Sequence, residues 1–232
     1  MSPLLVIFAA TFGAAAAGFL PRPAHRLAVG FGAPSRSACA ACSRPFPAGL
    51  SGWVRAGAAC PCTSGGLLTT LTGAAVAMVL AVRLGPSPRL PVLLLAVVPA
   101  LLLALVDLRC LRLPDRLVAT LAITAGLPLA VLAHAKVGTA LLAFVGVLAA
   151  YGILASLPGG GLGLGDVKLA AVLALIVGFA GWPAVIVGVV TPHLINGPIA
   201  LFLLVTRRAG GQRPLPFGPA LLTGALIALT AA

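Results

Sequence analysis

Residues 91–107 read PVLLLAVVPALLLALVD, an apolar run that ends at Asp107. A helix needs about 20 such residues to cross a bilayer, and similar runs recur along almost the whole chain. Of the 232 residues, 61% are hydrophobic and only 8% are charged, and the mean hydropathy is +1.18. Soluble domains carry roughly 25% charged residues. The composition therefore predicts an all-α, polytopic transmembrane helical bundle.

The apolar runs predict about eight spans, and the sixth is short enough to be tilted or partly re-entrant. The runs cover residues 2–20, 66–83, 91–107, 116–134, 137–156, 166–180, 183–205 and 216–231. They do not alternate in the way that strands of an outer-membrane barrel do. Their frequent Gly and Ala residues predict close helix packing in lipid. The first run has no basic residue before Arg22, so we expect a retained helix and not a cleaved signal peptide.

The basic residues predict the orientation of the chain. The formal net charge is +12, and twelve of the fifteen basic residues fall in loops on one side of the eight-span arrangement. These are Arg22, Arg26, Arg36, Arg44, Arg55, Arg109, Arg112, Arg116, Lys168, Arg207, Arg208 and Arg213. By the positive-inside rule, that side is the cytoplasm and both termini are outside. The charge is thus explained by lipid-bilayer topology, and we expect no nucleic-acid partner.

Acidic residues are rare, because the chain contains only Asp107, Asp115 and Asp166 and no Glu. Asp107 closes the third run, and Asp166 opens the sixth. Two membrane crossings separate them, so both carboxylates are expected at the same membrane boundary. Packing of the third span against the sixth would bring them close together.

Two close carboxyl groups in a poorly solvated site share one proton near neutral pH. The ionised group can take a proton from water while the protonated group polarises a peptide carbonyl. We therefore consider Asp107 and Asp166 as a catalytic pair. Gly163 and Gly165 lack side chains, so an extended substrate strand can approach the backbone next to Asp166. Lys168 is expected to adjust the local charge or to contact a lipid phosphate.

Each aspartate also has a simpler interpretation. Asp107 can pair with Arg109 or Arg112, Asp166 can serve only as a helix cap, and Asp115 is expected to have a cap or loop role. A proton- or ion-coupled transporter using the same acids is the alternative function, although transporter acids usually lie nearer the membrane midplane. An inactive assembly protein that keeps the fold is a third possibility.

Three motifs resemble those of type IV prepilin peptidases, membrane aspartyl proteases of the Gly-x-Gly-Asp type. The motifs are Asp107-Leu-Arg-Cys-Leu-Arg-Leu-Pro-Asp115, Gly163-Leu-Gly-Asp-Val-Lys168 and Pro216-Phe217-Gly218-Pro219. They follow in the family's order and make residues 66–232 similar to its membrane-embedded aspartyl peptidase domain. The resemblance implies that Asp107 and Asp166 are catalytic and that Asp115 is not. It also implies that the substrates are prepilins or pseudopilins and that proteolysis needs no cofactor.

Residues 1–65 form a different region, a span followed by a cytoplasmic loop with four cysteines. Gly18-Phe19-Leu20 and His25-Arg26-Leu27 are similar to a family segment associated with N-methylation by S-adenosylmethionine. Pro21 stands where that segment has Asn, so the methylase-like region is degenerate here.

The cysteines of this loop are candidate zinc ligands. They are Cys39, Cys42, Cys60 and Cys62. Four thiolates are a sound tetrahedral site for structural zinc, but the second pair encloses one residue where the family often has two. A reduced or vestigial cysteine loop is the alternative, and Cys110 is expected to be a packed thiol.

Together these features predict a multi-pass enzyme of the bacterial inner membrane whose active site faces the cytoplasm. It would cleave the cytoplasmic leader of type IV prepilins or pseudopilins as an aspartic endopeptidase, with residual N-methyltransferase activity as an open question.

Overall fold

The computed structural model describes residues 2–30, 32–54, 66–157, 162–206 and 215–231. Within these ranges the regular secondary structure is helical, apart from an isolated bridge between Ala38 and Pro45. The helices are α1 (Pro3–Gly18), α2 (Pro21–Leu27), α3 (Ser51–Val54), α4 (Gly66–Leu84), α5 (Arg89–Cys110), α6 (Asp115–Leu121), α7 (Leu127–Leu132), α8 (Val137–Ser156), α9 (Leu164–Gly178), α10 (Trp182–Val205) and α11 (Gly218–Ala231). A π-helical turn, Ala122–Gly126, joins α6 to α7, and a 3₁₀ turn, His134–Lys136, precedes α8. The all-α prediction is confirmed.

In the described ranges, six helical stretches are long and apolar enough to cross a membrane. They are Pro3–Leu27, Gly66–Leu84, Arg89–Cys110, Asp115–Leu132, His134–Ser156 and Trp182–Phe202. The helices α9 and α11 have 15 and 14 residues. At 1.5 Å per residue each is about 21–22 Å long, shorter than the ~30 Å hydrocarbon core. The chain is thus a multi-pass membrane protein, and its total of eight spans stays a prediction.

Local sequence explains several helix boundaries. Pro3 and Pro21 occupy the first turns of α1 and α2, where a missing N–H costs nothing. Gly85 follows α4 with a φ of +59°. Leu111 ends α5 in the left-handed region with a φ of +53°, and its N–H donates to the carbonyl of Asp107 at 2.8 Å. The chain therefore leaves the α5 helix directly after the segment that carries Asp107.

The chain divides into two compact units, Met1–Arg112 and Leu113–Ala232. In the first unit α1 packs on α4, and α5 contacts α1, α2 and α4. In the second unit α9 is the central helix, since it contacts α6, α8, α10 and α11 and ten of its fifteen residues are buried. The functional division predicted at residue 65 stays a prediction.

Small residues stand at the closest helix contacts, as the composition predicts. A Cβ on Gly13 of α1 would clash with the backbone of Gly73 on α4. A Cβ on Gly178 of α9 would lie 2.7 Å from the Cα of Ala140 on α8. Helix backbones can approach this closely only where one partner lacks a side chain.

This packing gives a testable stability effect. Gly178→Ala should lower the thermal stability of the detergent-solubilised protein by about 1–3 kcal/mol, because the new methyl group meets backbone atoms that cannot rotate away. Gly146→Ala on α8 is the matched control, since a Cβ there meets nothing within 4 Å. The control should be neutral or stabilising, as Ala is the better helix former. Equal melting temperatures for the two variants would contradict the packing argument.

Candidate active site

Asp107 is a buried carboxylate in the last turn of α5. Its residue is 3% exposed, and its helix neighbours Leu103 and Val106 are fully buried. Removing a carboxylate from water is costly unless it gains a partner or changes its protonation state. A buried acid among apolar side chains therefore indicates a structural or a chemical role for Asp107 that offsets this cost.

The two arginines after Asp107 bind the segment that follows α1. Arg109 donates to the carbonyl of Pro21 at 2.8 Å, and Arg112 donates to the carbonyl of Val29 at 2.9 Å. Both bonds lie within the first unit and tie the end of α5 to the head of the chain. Sequence reasoning did not find this role, and the pairing of Asp107 with one of these arginines remains an open alternative.

Asp166 lies at the third position of α9, with Gly163 as the N-cap residue. The N–H of Gly163 donates to Oδ2 of Asp166 at 3.3 Å, while Oδ1 is buried. The positive end of the helix dipole also favours a carboxylate here. Asp166 is therefore not the N-cap residue itself, but it contributes to the cap from the third position of the helix.

The two glycines of this turn have identifiable neighbours. A Cβ on Gly163 would lie 3.1 Å from Oδ2 of Asp166, so Gly163 leaves room for the carboxylate. A Cβ on Gly165 would lie 3.1 Å from the Cβ of Leu113. The open face of Gly165 thus lies against the chain's own extended segment before α6. The role of both glycines in substrate approach stays a prediction.

Lys168 pairs with Asp115, a contact that the sequence analysis did not foresee. The Nζ atom lies 2.9 Å from both carboxylate oxygens. Asp115 is the first residue of α6, and Pro114 occupies the N-cap position before it, so Asp115 begins the helix without capping it. The two side chains are separated by 53 residues, and no local sequence signal identifies them as partners.

The Pro-Phe-Gly-Pro motif contributes an aromatic contact in the second unit. The ring of Phe217 lies 5.6 Å from the ring of His193, which lies 5.7 Å from the ring of Tyr151. His193 shares a 2.8 Å hydrogen bond with the carbonyl of Val189 on its own helix. The motif therefore places Phe217 against His193 of α10, and His193 in turn contacts Tyr151 of α8.

The cysteine loop is described only in its first half. Cys39 is buried and Cys42 is exposed, while Cys60 and Cys62 lie outside the described residues. The N–H of Ser43 donates to the carbonyl of Cys39 at 2.9 Å, and Ser43 has a φ of +54°. The described ranges contain no group of three or more His, Cys, Asp or Glu side chains that could hold a metal.

The two proposed catalytic acids belong to different units, Asp107 to the first and Asp166 to the second. That their carboxyl groups lie close together stays a prediction. Within the second unit, the structure brings three pairs of site residues into contact. They are Gly163 with Asp166, Gly165 with Leu113, and Lys168 with Asp115.

Comparison with known protein families gives a match to the middle of the chain. Residues 93–205 match the model of the type IV leader peptidase family. The matched stretch contains all three aspartates and the Gly163–Lys168 motif. No curated protein and no solved structure matches the chain.

Proposed function

We propose, from the premise that residues 93–205 belong to the type IV leader peptidase family, that this peptidase is an aspartic endopeptidase whose catalytic residues are Asp107 and Asp166. The observation that carries this proposal is the buried carboxylate of Asp107, which lies inside the family segment and is 3% exposed. Asp166 is the second acid because it opens α9 in the Gly163-Leu-Gly-Asp sequence of the same segment.

In the proposed reaction the two carboxyl groups share one proton. The ionised group accepts a proton from water, and the oxygen of that water attacks the peptide carbonyl carbon. The protonated group donates a hydrogen bond to the carbonyl oxygen. As the C–N bond breaks, the amide nitrogen receives a proton and leaves as an amine. This chemistry requires neither a metal nor a covalent intermediate, and its two acids titrate as a unit.

The proposed substrates are the leaders of type IV prepilins or pseudopilins, short basic segments that precede an apolar helix. The distribution of basic residues in the sequence supports a cytoplasmic position for the active site and insertion in the inner membrane. Arginines on that side would repel a basic leader. Recognition therefore rests on the apolar helix of the substrate and on the strand that enters the site.

Cleavage in detergent tests the proposal. Purified protein incubated with a prepilin should release the leader by a single cut, as read by mass spectrometry, because hydrolysis needs no membrane gradient. An intact prepilin would overturn the proposal and leave the alternative of a proton- or ion-coupled transporter. The same spectrum shows whether the new amino terminus carries a methyl group in the presence of S-adenosylmethionine.

We also propose a structural zinc site in the head, with Cys39 and Cys42 as two ligands and Cys60 and Cys62 as the others. The observation that supports it is the tight turn at Cys39, closed by the N–H of Ser43. Cys39 and Cys42 both lie within this turn, and zinc accepts four thiolates. The site would stabilise the head and take no part in proteolysis.

Zinc analysis tests this site. Elemental analysis of the purified protein should find about one zinc per chain, as expected of a closed four-thiolate site. Cys39→Ser and Cys42→Ser should each lose most of the metal, while Cys110→Ser on α5 should retain it as the matched control. Metal-free wild-type protein would contradict the proposed site.

A further inference from the structure

We propose that the ion pair between Asp115 and Lys168 is a positioning element for the peptidase reaction. The pair holds the start of α6 against the start of α9, whose first turn carries Asp166. This inference rests on the proposed function of Asp107 and Asp166, and it assigns Lys168 a role that differs from direct action on Asp166 or on lipid.

The geometry of the pair is specific. Nζ of Lys168 lies 2.9 Å from Oδ1 and 2.9 Å from Oδ2 of Asp115, so one ammonium group is shared evenly by both carboxylate oxygens. Asp115 begins α6, and Lys168 lies two residues after Asp166 on α9. The ion pair therefore joins the ends of two helices at the level of a proposed catalytic acid.

A second contact supports the same alignment. Leu113 is buried, and its Cβ and backbone face the bare side of Gly165, where an added Cβ would lie 3.1 Å from the Leu113 Cβ. Pro114 follows with a φ of −60° and a ψ of 125°, which directs the chain into α6. The segment before α6 is thus held by the packing of Leu113 on Gly165 and by the ion pair at Asp115.

The alignment continues along the helix. Gly126, at the end of the π-helical turn, faces the side chain of Leu175 on α9, where an added Cβ would lie 3.2 Å from Cδ2. The stretch from α6 through the π-helical turn therefore follows α9 from Lys168 to Leu175, over about two turns. The Asp115–Lys168 ion pair lies at one end of these two packed helical stretches, where it sets the position of the start of α6 on α9.

The ion pair acts next to the proposed catalytic acid of its own unit. Lys168 lies two residues after Asp166, at the start of α9. Holding Lys168 on Asp115 therefore restrains the first turn of α9, which carries Asp166, and misplacement of a catalytic group lowers kcat.

The expected effect is modest, because the side chains of Lys168 and Asp115 are 51% and 69% exposed. An exposed ion pair corresponds to about a two- to five-fold change in rate when its whole contribution acts in the transition state. Asp115→Asn and Lys168→Met should each lower kcat for leader cleavage by about this factor and leave KM unchanged.

The test is a double-mutant cycle on the full-length protein. The double variant Asp115→Asn/Lys168→Met should lose no more than either single variant, since both remove the same contact. The charge reversal Asp115→Lys/Lys168→Asp should recover at least half of the lost kcat. Arg116→Gln is the matched control, as it removes a neighbouring exposed charge and should leave kcat unchanged.

Two results would overturn the inference. The first is a double variant whose fold loss of kcat equals the product of the fold losses of the two single variants. The second is a loss of kcat in Lys168→Met but not in Asp115→Asn, with no recovery of kcat on charge reversal. Thermal unfolding of the same variants in detergent measures the coupling without any substrate. If the wild type cleaves no leader while the unfolding cycle still shows coupling, the proposed function fails and the contact remains. If the wild type cleaves the leader and the double-mutant cycle on kcat shows no coupling, the positioning role alone fails.

Discussion

Replacing Asp107 by Asn should lower leader cleavage by about 10³-fold or more while the protein still inserts and folds. Asn has nearly the same size as Asp, so the apolar site at the end of α5 keeps its packing. The amide can neither accept a proton from water nor donate an acidic proton to a carbonyl. Quantitative mass spectrometry of a co-expressed prepilin would give the fraction cleaved.

The matched control is Asp115→Asn, the same substitution at the acid that the family resemblance marks as non-catalytic. It should retain activity within about five-fold of wild type, because it removes only an exposed ion pair. Normal processing by Asp107→Asn would end the two-aspartate mechanism. Complete loss in Asp115→Asn would mean that the catalytic pair is wrongly assigned.

Replacing Asp166 by Asn should cause a loss of the same size, about 10³-fold. This substitution separates capping from chemistry, because the amide oxygen of Asn can still accept the N–H of Gly163. The helix would lose only the charge at its positive end, a stabilisation of about 0.3–1 kcal/mol. Inactive protein with a nearly unchanged melting temperature would identify Asp166 as an acid in the reaction, whereas full activity would reduce it to a cap.

The two substitutions should not be additive. Residues that act as one unit lose nearly everything when either is removed. The double variant Asp107→Asn/Asp166→Asn should therefore be no less active than either single variant. In the wild type, a bell-shaped dependence of kcat/KM on pH is expected, since one acid must be ionised and the other protonated. A rate that rises steadily with pH would contradict this pair of roles.

Much of the fold follows from the sequence, because membrane helices are fixed by local composition. Each of the eight apolar runs corresponds to helix in the structure, and the short sixth run corresponds to α9. The π-helical turn, Ala122–Gly126, could not be predicted, since it depends on how the stretch packs beside α9. The tight pairing of Gly178 with Ala140 likewise needs the partner helix, although the abundance of small residues pointed to such contacts.

The candidate acids could be found from sequence because so few exist and each lies at the beginning or the end of an apolar run. The contacts around these acids could not be predicted from the sequence. Lys168 meets Asp115 across 53 residues, and Arg109 meets the carbonyl of Pro21 across 88. Such contacts are decided by which helices pack together, which no local pattern encodes. From the sequence, Lys168 was expected to act on the charge near Asp166, its neighbour along the chain. In the structure, Lys168 instead pairs with Asp115, which belongs to another helix.

The distance between residues 107 and 166 tests the central claim most directly. A disulfide forms only when two Cα atoms lie within about 7 Å. The double variant Asp107→Cys/Asp166→Cys, with Cys110→Ser, should form a disulfide on mild oxidation, seen by mass spectrometry as a proteolytic peptide that joins the two positions. Asp107→Cys/Leu141→Cys in the same background is the control and should give no such peptide. Absence of the 107–166 peptide, with oxidation complete, would contradict the proposal that the two acids share one proton at a common site.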